Sequence, residues 1–327
     1  MTAQGRPEAG PAPPPAHSEP RPRSGLGSRP VGLAGYHERQ AHGCTITVVV
    51  ATRDGYEQLA PILDALVPQV DDVGGEVIVA CGSGRGAPVG PPVTWLAVDD
   101  VNLLNLRRLA VARARGDIIA FGEDHLVPGP GWCAAVVRAH AEHPAAAAVV
   151  GCLANGTDRT VSGRANFLGF AAPFTSPMPI LPTRPPPVSV LSFKRQALDG
   201  VDGNAGCIES ALLPQLFREG RMVPDDRIVG LHYQDHGWRW SVANAFVNAR
   251  ANYGYSASAL DPAGRRGVAR WITTRMVPRQ WREARAARHL SRGPGDLVLV
   301  AVINAATATG ALTGTFAGPG RAAERVA

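Results

Sequence analysis

Three short polar runs follow apolar stretches of the chain, and their side chains are of the kinds that hold cations and phosphates. Glu123-Asp124-His125 follows the apolar run 117–121. Two carboxylates and an imidazole at such a point can hold a divalent cation through oxygen and nitrogen ligands. A cation there can bridge two phosphates and neutralise a leaving diphosphate. Pattern alone makes such a triplet more often an ordinary polar turn. Thr52-Arg53-Asp54 closes the run 45–51, and Gly82-Ser83-Gly84 closes the run 76–80. The small residues of the second would let a nucleotide approach the backbone. His232 and His236 have the i, i+4 spacing of a metal pair, but Asp235 and Gly237 beside them predict a turn. His140 and His143 lack a third ligand and are expected at the surface.

The elements that position these groups read as a repeating α/β pattern. Thr45-Ile-Thr-Val-Val-Val-Ala51 is β-branched and almost wholly apolar, as a buried parallel strand should be. Tyr56, Leu59, Ile62, Leu63 and Leu66 then recur at helical spacing, with Pro61 disfavoured unless the helix starts just before it. Further strands are predicted over 76–80, 93–98, 117–121 and 147–153, and helices over 103–115, 131–143 and 208–219. Residues 173–187 are Pro-dense and predict a loop. Strands and helices alternating in this way imply a mostly parallel sheet covered by helices. Such sheets bind ligands beyond the C-terminal ends of their strands, which is where the three polar runs fall.

Residues 46–153 carry a resemblance to the family-2 glycosyltransferases. The family's Pro/Ala-Thr-x-Asn/Asp turn is matched by Ala51-Thr52-Arg53-Asp54, and its Glu-Ile-Ile-Val strand by Glu76-Val77-Ile78-Val79. Its Gly-Asp-Ile-Ile-Ala-Phe stretch is Gly116–Phe121, its acidic D-x-D-like motif is Glu123-Asp124-His125, and its Pro-x-x-Gly-Trp is Pro128–Trp132. Weaker matches follow at Ser192–Arg195, at Glu209 with Leu212 and Leu213, and at Leu231-His232. The resemblance implies a GT-A-like (Rossmann-like) fold. It also implies inverting transfer of a sugar from a nucleotide-diphosphate sugar to an acceptor hydroxyl on a glycan, lipid or small molecule. In that reading Glu123, Asp124 and His125 hold Mn²⁺ or Mg²⁺. Thr52, Arg53, Asp54, Gly82 and Ser83 lie along the nucleoside. Arg107 and His232 meet the diphosphate or the metal, and Glu209 is the general base. The imidazole shifts metal preference towards Mn²⁺. The sequence departs from the family at Cys81-Gly82-Ser83, where a carboxylate usually reads the nucleoside, and at Glu209-Ser210 in place of Glu-Asp.

Composition sets the frame. Of 327 residues 45% are hydrophobic, which suffices for a sizeable core. Residues 1–42 are rich in Pro, Gly, Ala and Arg without apolar periodicity, and are expected to be disordered. Residues 43–260 are expected to form the transferase-like domain, and 261–327 a basic and then apolar helical extension. Arg265, Arg266, Arg270, Arg275, Arg279, Arg282, Arg285, Arg288 and Arg292 crowd its first half. With Trp271 and Trp281 they suit a lipid interface better than nucleic acid. Residues 297–318 carry no charge and are long enough to cross a bilayer, but Asn304, repeated Thr, Gly310 and Gly314 favour a buried or interfacial helix. The expected setting is the cytoplasmic face of a membrane, with peripheral attachment. Five cysteines without a CxxC fit a reducing compartment and no zinc knuckle. Two competing readings remain. A nucleotidyltransferase would need a basic Gly-rich loop after the first strand, and Thr52–Gly55 has no Lys. A degenerate transferase fold would bind a nucleotide or glycan without catalysis.

Overall fold

The computed structural model describes residues 43–99, 103–178, 186–199, 208–234, 236–258 and 260–325. The N-terminal tail, Cys207, Asp235 and much of the Pro-dense loop lie outside the described residues.

Eight strands form one sheet: β1 (Ile46–Thr52), β2 (Glu76–Cys81), β3 (Val93–Ala97), β4 (Ile118–Glu123), β5 (Leu126–Pro128), β6 (Ala148–Asn155), β7 (Leu191–Lys194) and β8 (Met222–His232). The α-helices are α1 (Tyr56–Asp72), α2 (Leu103–Arg113), α3 (Trp132–Glu142), α4 (Val161–Phe170), α5 (Ile208–Arg218), α6 (Gly237–Ala257), α7 (Pro262–Trp271), α8 (Val277–Ala286) and α9 (Pro294–Ala317). A π-helical turn, Ile272–Met276, joins α7 to α8. The strand order is β3-β2-β1-β4-β7-β6-β8-β5. Strands β3, β2, β1 and β4 are mutually parallel, as are β6 and β8, while β7 runs antiparallel between β4 and β6 and β5 antiparallel to β8.

Strands β1, β2, β4 and β6 are buried on both faces over most of their length because their alternating side chains serve two cores. Val48, Val50, Val77 and Val79 pack with Leu59, Ile62 and Leu66 of α1 and with Trp132, Val136 and Ala139 of α3. Val49, Ala51, Ile78 and Ile119 face the other way, onto Leu106 and Ala110 of α2, Phe167 of α4 and Leu213 and Leu216 of α5. Helix α1 corrects one expectation, since it runs straight through Pro61 and Pro68. Each proline forfeits one backbone hydrogen bond. Five buried side chains (Leu59, Ile62, Leu63, Leu66 and Val70) hold the helix down, each stabilising by about 1.5–3 kcal/mol.

The C-terminal helices form a separate layer. Helix α9 packs on α4 through Ala165, Leu168, Val300 and Ile303. It meets α6 so closely that a Cβ on Gly310 or Gly314 would strike the carbonyl oxygens of Phe246 and Arg250. Its first turn is anchored by a buried pair in which Arg164 Nε and Nη2 donate to the two Asp296 oxygens at 2.8 and 2.9 Å. Within α6, Tyr253 Oη meets Met276 Sδ at 3.2 Å.

Candidate metal and nucleotide site

The parallel register brings the C-terminal ends of the strands to one rim. Thr52 stands opposite Cys81, Ala51 opposite Glu123 and Cys81 opposite Ala97. Two turns there are tied together. Gly82 N donates to the Thr52 carbonyl at 2.8 Å, and Cys81 Sγ donates to the Asp54 carbonyl at 3.1 Å. Thr52 Oγ1 accepts from Asp54 N at 2.9 Å, which shapes the turn after β1. Arg53, Asp54 and Ser83 are exposed on this rim, whereas Thr52, Cys81 and Gly82 are buried beneath it. Gly84 has φ +67, a conformation that only glycine adopts cheaply.

The acidic triplet sits at the end of β4 and leads through a tight turn into β5. Strand β5 pairs with β8 so that Leu126 stands opposite His232, and Tyr233 N donates to the His125 carbonyl at 2.8 Å. That pairing carries His125 beside His232, their rings edge to face with centroids 4.6 Å apart. Glu123 Oε2 lies 3.5 Å from His125 Nε2 and 3.8 Å from His232 Nε2. Arg107 Nη2, on α2, lies 3.4 Å from Glu123 Oε1. Asp124 does different work: Oδ1 is 2.7 Å from His125 Nδ1, and Oδ2 accepts from Thr52 Oγ1 at 2.9 Å. It fixes the ring so that Nε2 turns towards Glu123, the role a carboxylate plays behind a metal-ligating histidine.

Among the described residues, Glu123, His125 and His232 offer three ligand atoms within 4.8 Å of one another. His232 is 2% exposed, yet its Nε2 has no hydrogen-bond partner. A buried polar atom without a partner is costly in a native fold and calls for an explanation. A cation held by the two imidazoles and the carboxylate would satisfy it, so the donor set fits a divalent metal of borderline character.

The electrostatics favour the ionised carboxylates. Burial opposes the charge on Glu123, but the imidazoles of His232 and His125 and the Arg107 guanidinium outweigh it and hold the carboxyl at about 2. Asp124 is likewise held below its usual range, its burial overcome by His125 and Thr52. His125 is raised, because Asp124 and Glu123 outweigh the effect of burial.

The structure thus brings Thr52, Asp124, His125, Glu123, Arg107 and His232 into one connected cluster, with Arg53, Asp54, Gly82 and Ser83 along the adjoining rim. Glu209 falls in the first turn of α5, and its side chain lies outside the described residues. Sequence reasoning missed Phe170, the last residue of α4, whose ring packs 5.5 Å from that of His232. No local motif marks it. One expectation is corrected: His140 is 4% exposed rather than on the surface, with Nε2 2.9 Å from Ser192 Oγ.

No protein-family model and no curated protein sequence matches the chain. Solved structures do. A mannosyltransferase from Pyrobaculum calidifontis, in complex with GDP-Man and Mn²⁺, is 17% identical with a TM-score of 0.50, over 84% of this chain and 88% of that one. Glucosyl-3-phosphoglycerate synthase from Mycobacterium tuberculosis, with Mn²⁺, UDP and phosphoglyceric acid, is 17% identical with a TM-score of 0.41, over 59% and 72%. S. aureus TarS 1-349 is 11% identical with a TM-score of 0.39, over 83% and 90%. The first of these likenesses, together with the strand order and the covered, mostly parallel sheet, gives the chain the GT-A fold of nucleotide-sugar glycosyltransferases.

Proposed function

We propose that this protein is a metal-dependent glycosyltransferase that uses a nucleotide-diphosphate sugar. The observation that carries this reading is the Glu123–His125–His232 group at the strand ends, with its partnerless buried imidazole nitrogen. A solved neighbour of the same fold is a mannosyltransferase with GDP-Man and Mn²⁺. A divalent cation held by those three side chains would supply Lewis-acid neutralisation of the leaving diphosphate.

The chain's own residues divide the remaining work. Thr52, Arg53, Asp54, Gly82 and Ser83 border the nucleoside, with Ser83 and backbone groups taking the place of a nucleoside-reading carboxylate. Asp124 orients His125. Arg107 balances charge on Glu123 until the phosphates arrive. Glu209 is assigned as the general base that deprotonates an acceptor hydroxyl, which then attacks the anomeric carbon with inversion. The acceptor is a glycan, lipid or small molecule. The four described cysteines are unbridged, which suits a cytoplasmic setting.

The test is a thermal-shift screen of UDP-, GDP- and dTDP-sugars, with and without Mn²⁺, on wild type, Glu123→Gln and His232→Gln. A ligand that binds only the folded state raises Tm by mass action. The expected result is a Mn²⁺-dependent rise with one nucleotide class, lost in both variants, and hydrolysis or transfer of the same donor lost in Glu209→Gln. A folded wild type that shifts with no donor overturns the reading. A shift without any turnover would instead assign a non-catalytic nucleotide-binding module.

A further inference from the structure

Helix α9 is an unusual surface element. From Pro294 to Ala317 it carries one charged residue, Asp296, which is buried against Arg164. Its opposite side is open. Val298 (64% exposed), Val302, Ala305, Thr309 and Phe316 recur at helical spacing and form one uncharged stripe along the helix, with Leu297 beside it. The polar groups near this stripe are turned inward. Thr309 Oγ1 donates to the Ala305 carbonyl and Thr313 Oγ1 to the Thr309 carbonyl, both at 2.8 Å, and Thr307 and Thr315 make the same i−4 bond. A threonine bonded in this way presents its methyl group rather than a hydroxyl to its surroundings.

What lies beside the stripe has the opposite character. The run from Ile272 to Ala287 passes along α9 antiparallel to it. Ile272 and Met276 pack with Ala311, and Ala284 and Ala287 pack with Val300 and Ile303. The exposed charged side chains between residues 270 and 292 are all arginines: Arg270, Arg275, Arg282, Arg285, Arg288 and Arg292, of which Arg292 is paired with Asp158. The one acid of the run, Glu283, is half-buried and lies 3.7 Å from Arg279. Trp281, 52% exposed, stands among the arginines. Ala308 and Leu312, between the stripe and the buried side of α9, pack with Trp271 and Val277 of this run. An apolar stripe on a helix whose packed neighbours expose arginines and an indole has the chemistry of the membrane–water interface.

We infer that α9 and the arginine-bearing helices beside it form a docking surface for an anionic phospholipid bilayer. The occupant is set by charge: a second copy of this chain would oppose the same arginines to one another, whereas phosphodiester headgroups neutralise them. The mode is interfacial rather than spanning. Crossing the bilayer would require α9 to leave α6, where Gly310 and Gly314 touch backbone, and to break the buried Arg164–Asp296 pair. This inference does not depend on the transferase reading, because the surface lies on the helical layer and includes none of the strand-end residues.

The experiment is co-sedimentation of the full chain with vesicles of phosphatidylcholine alone or mixed with phosphatidylglycerol, over a range of salt concentrations. Binding to the anionic vesicles is expected, at least tenfold above the neutral ones, with release by high salt. Each arginine at such a surface contributes roughly fivefold to partitioning, so Arg282→Glu/Arg285→Glu should lose at least tenfold. Val298→Glu/Val302→Glu should lose a similar factor, with wild-type thermal melts for both variants. If either variant melts early, the salt release of the wild type and the difference between vesicle types decide the matter. The inference is overturned if the full chain stays in the supernatant with anionic vesicles at low salt, or if binding resists salt as a spanning helix would. It is also overturned if a folded Val298→Glu/Val302→Glu variant splits a dimer in light scattering while vesicle binding is unchanged.

Discussion

The two ends of the parallel strands carry polar clusters of similar composition and opposite character. At the N-terminal end, Glu76 is buried and fully engaged. Its Oε1 accepts from Thr47 Oγ1 at 2.9 Å and from Arg115 N at 2.7 Å, and its Oε2 accepts from Arg115 Nε at 2.8 Å. Gly116 N donates to Thr47 Oγ1 at 2.8 Å, and Gly116 is held so close to the backbone of Ile46 and Thr47 that no Cβ fits there. At the C-terminal end, Glu123 has a guanidinium and two imidazoles at 3.4 to 3.8 Å, and His232 keeps a buried nitrogen without a hydrogen-bond partner. The first cluster has settled its hydrogen bonds within the protein. The second leaves one open, and that difference marks Glu123 rather than Glu76 as the candidate ligand carboxylate more sharply than burial or charge does.

The largest expected effect tests the open end. Glu123→Gln or His232→Gln should weaken Mn²⁺-dependent donor binding by more than about 10²-fold, since a metal ligand supports several kcal/mol of charge stabilisation. Isothermal titration with Mn²⁺ and the nucleotide that shifts Tm checks it, and an unchanged affinity in either variant would break the contrast. The closed end should respond in the other observable. Glu76→Ala leaves Thr47 and Arg115 without their acceptor and should cost about 3 kcal/mol of stability, with the half-exposed Arg115 softening the loss. Urea denaturation reads this, and donor affinity per folded molecule should not change.

His140 sharpens the comparison because it resembles His232 in one respect. It is buried, and its Nδ1 lacks a hydrogen-bond partner, but the charge that acts on it is the Lys194 ammonium rather than a carboxylate. Burial, and then the charge of Lys194, push its pKa down to about 4. The unfolded chain takes up this proton near pH 6.5 and the folded one only near 4, so the contribution is complete above 6.5 and is lost as pH falls towards 4. The total is about 3 kcal/mol. Melting curves of wild type and His140→Gln across that window should diverge, with the variant flatter. The smallest effect belongs to Thr52→Val, which removes the hydroxyl that holds Asp124 and should weaken Mn²⁺ affinity by about 1 kcal/mol. A larger loss would place Asp124 itself among the ligands.

Much of the sheet was legible because parallel strands buried on both faces must be β-branched runs, and 45–51, 76–80 and 117–121 are such runs. In the candidate cation group, the residue pattern alone marked Glu123 and His125, while His232 entered only through the family resemblance. Glu123 and His125 are neighbours in sequence, but their approach to His232 depends on the three-residue strand β5, too short to have a pattern, and on its register with β8. The misread positions have similar causes. Helix α1 tolerates Pro61 because its apolar face is fully buried, which periodicity within the helix cannot weigh against a missing hydrogen bond. His140 was read from its spacing to His143, whereas its burial follows from lying next to Ala139, on the face of α3 that packs against the sheet.

The antiparallel insertion of β7 between β4 and β6 places Glu123 and His232 on opposite sides of a seam in the sheet, about a third of the chain apart in sequence. A cation shared by the two would act as a reversible cross-link, closing a long loop much as a disulfide does and restricting the opened states of that loop. Limited proteolysis of the metal-free protein should therefore nick the segment between β6 and β8, and Mn²⁺ alone should slow that cleavage.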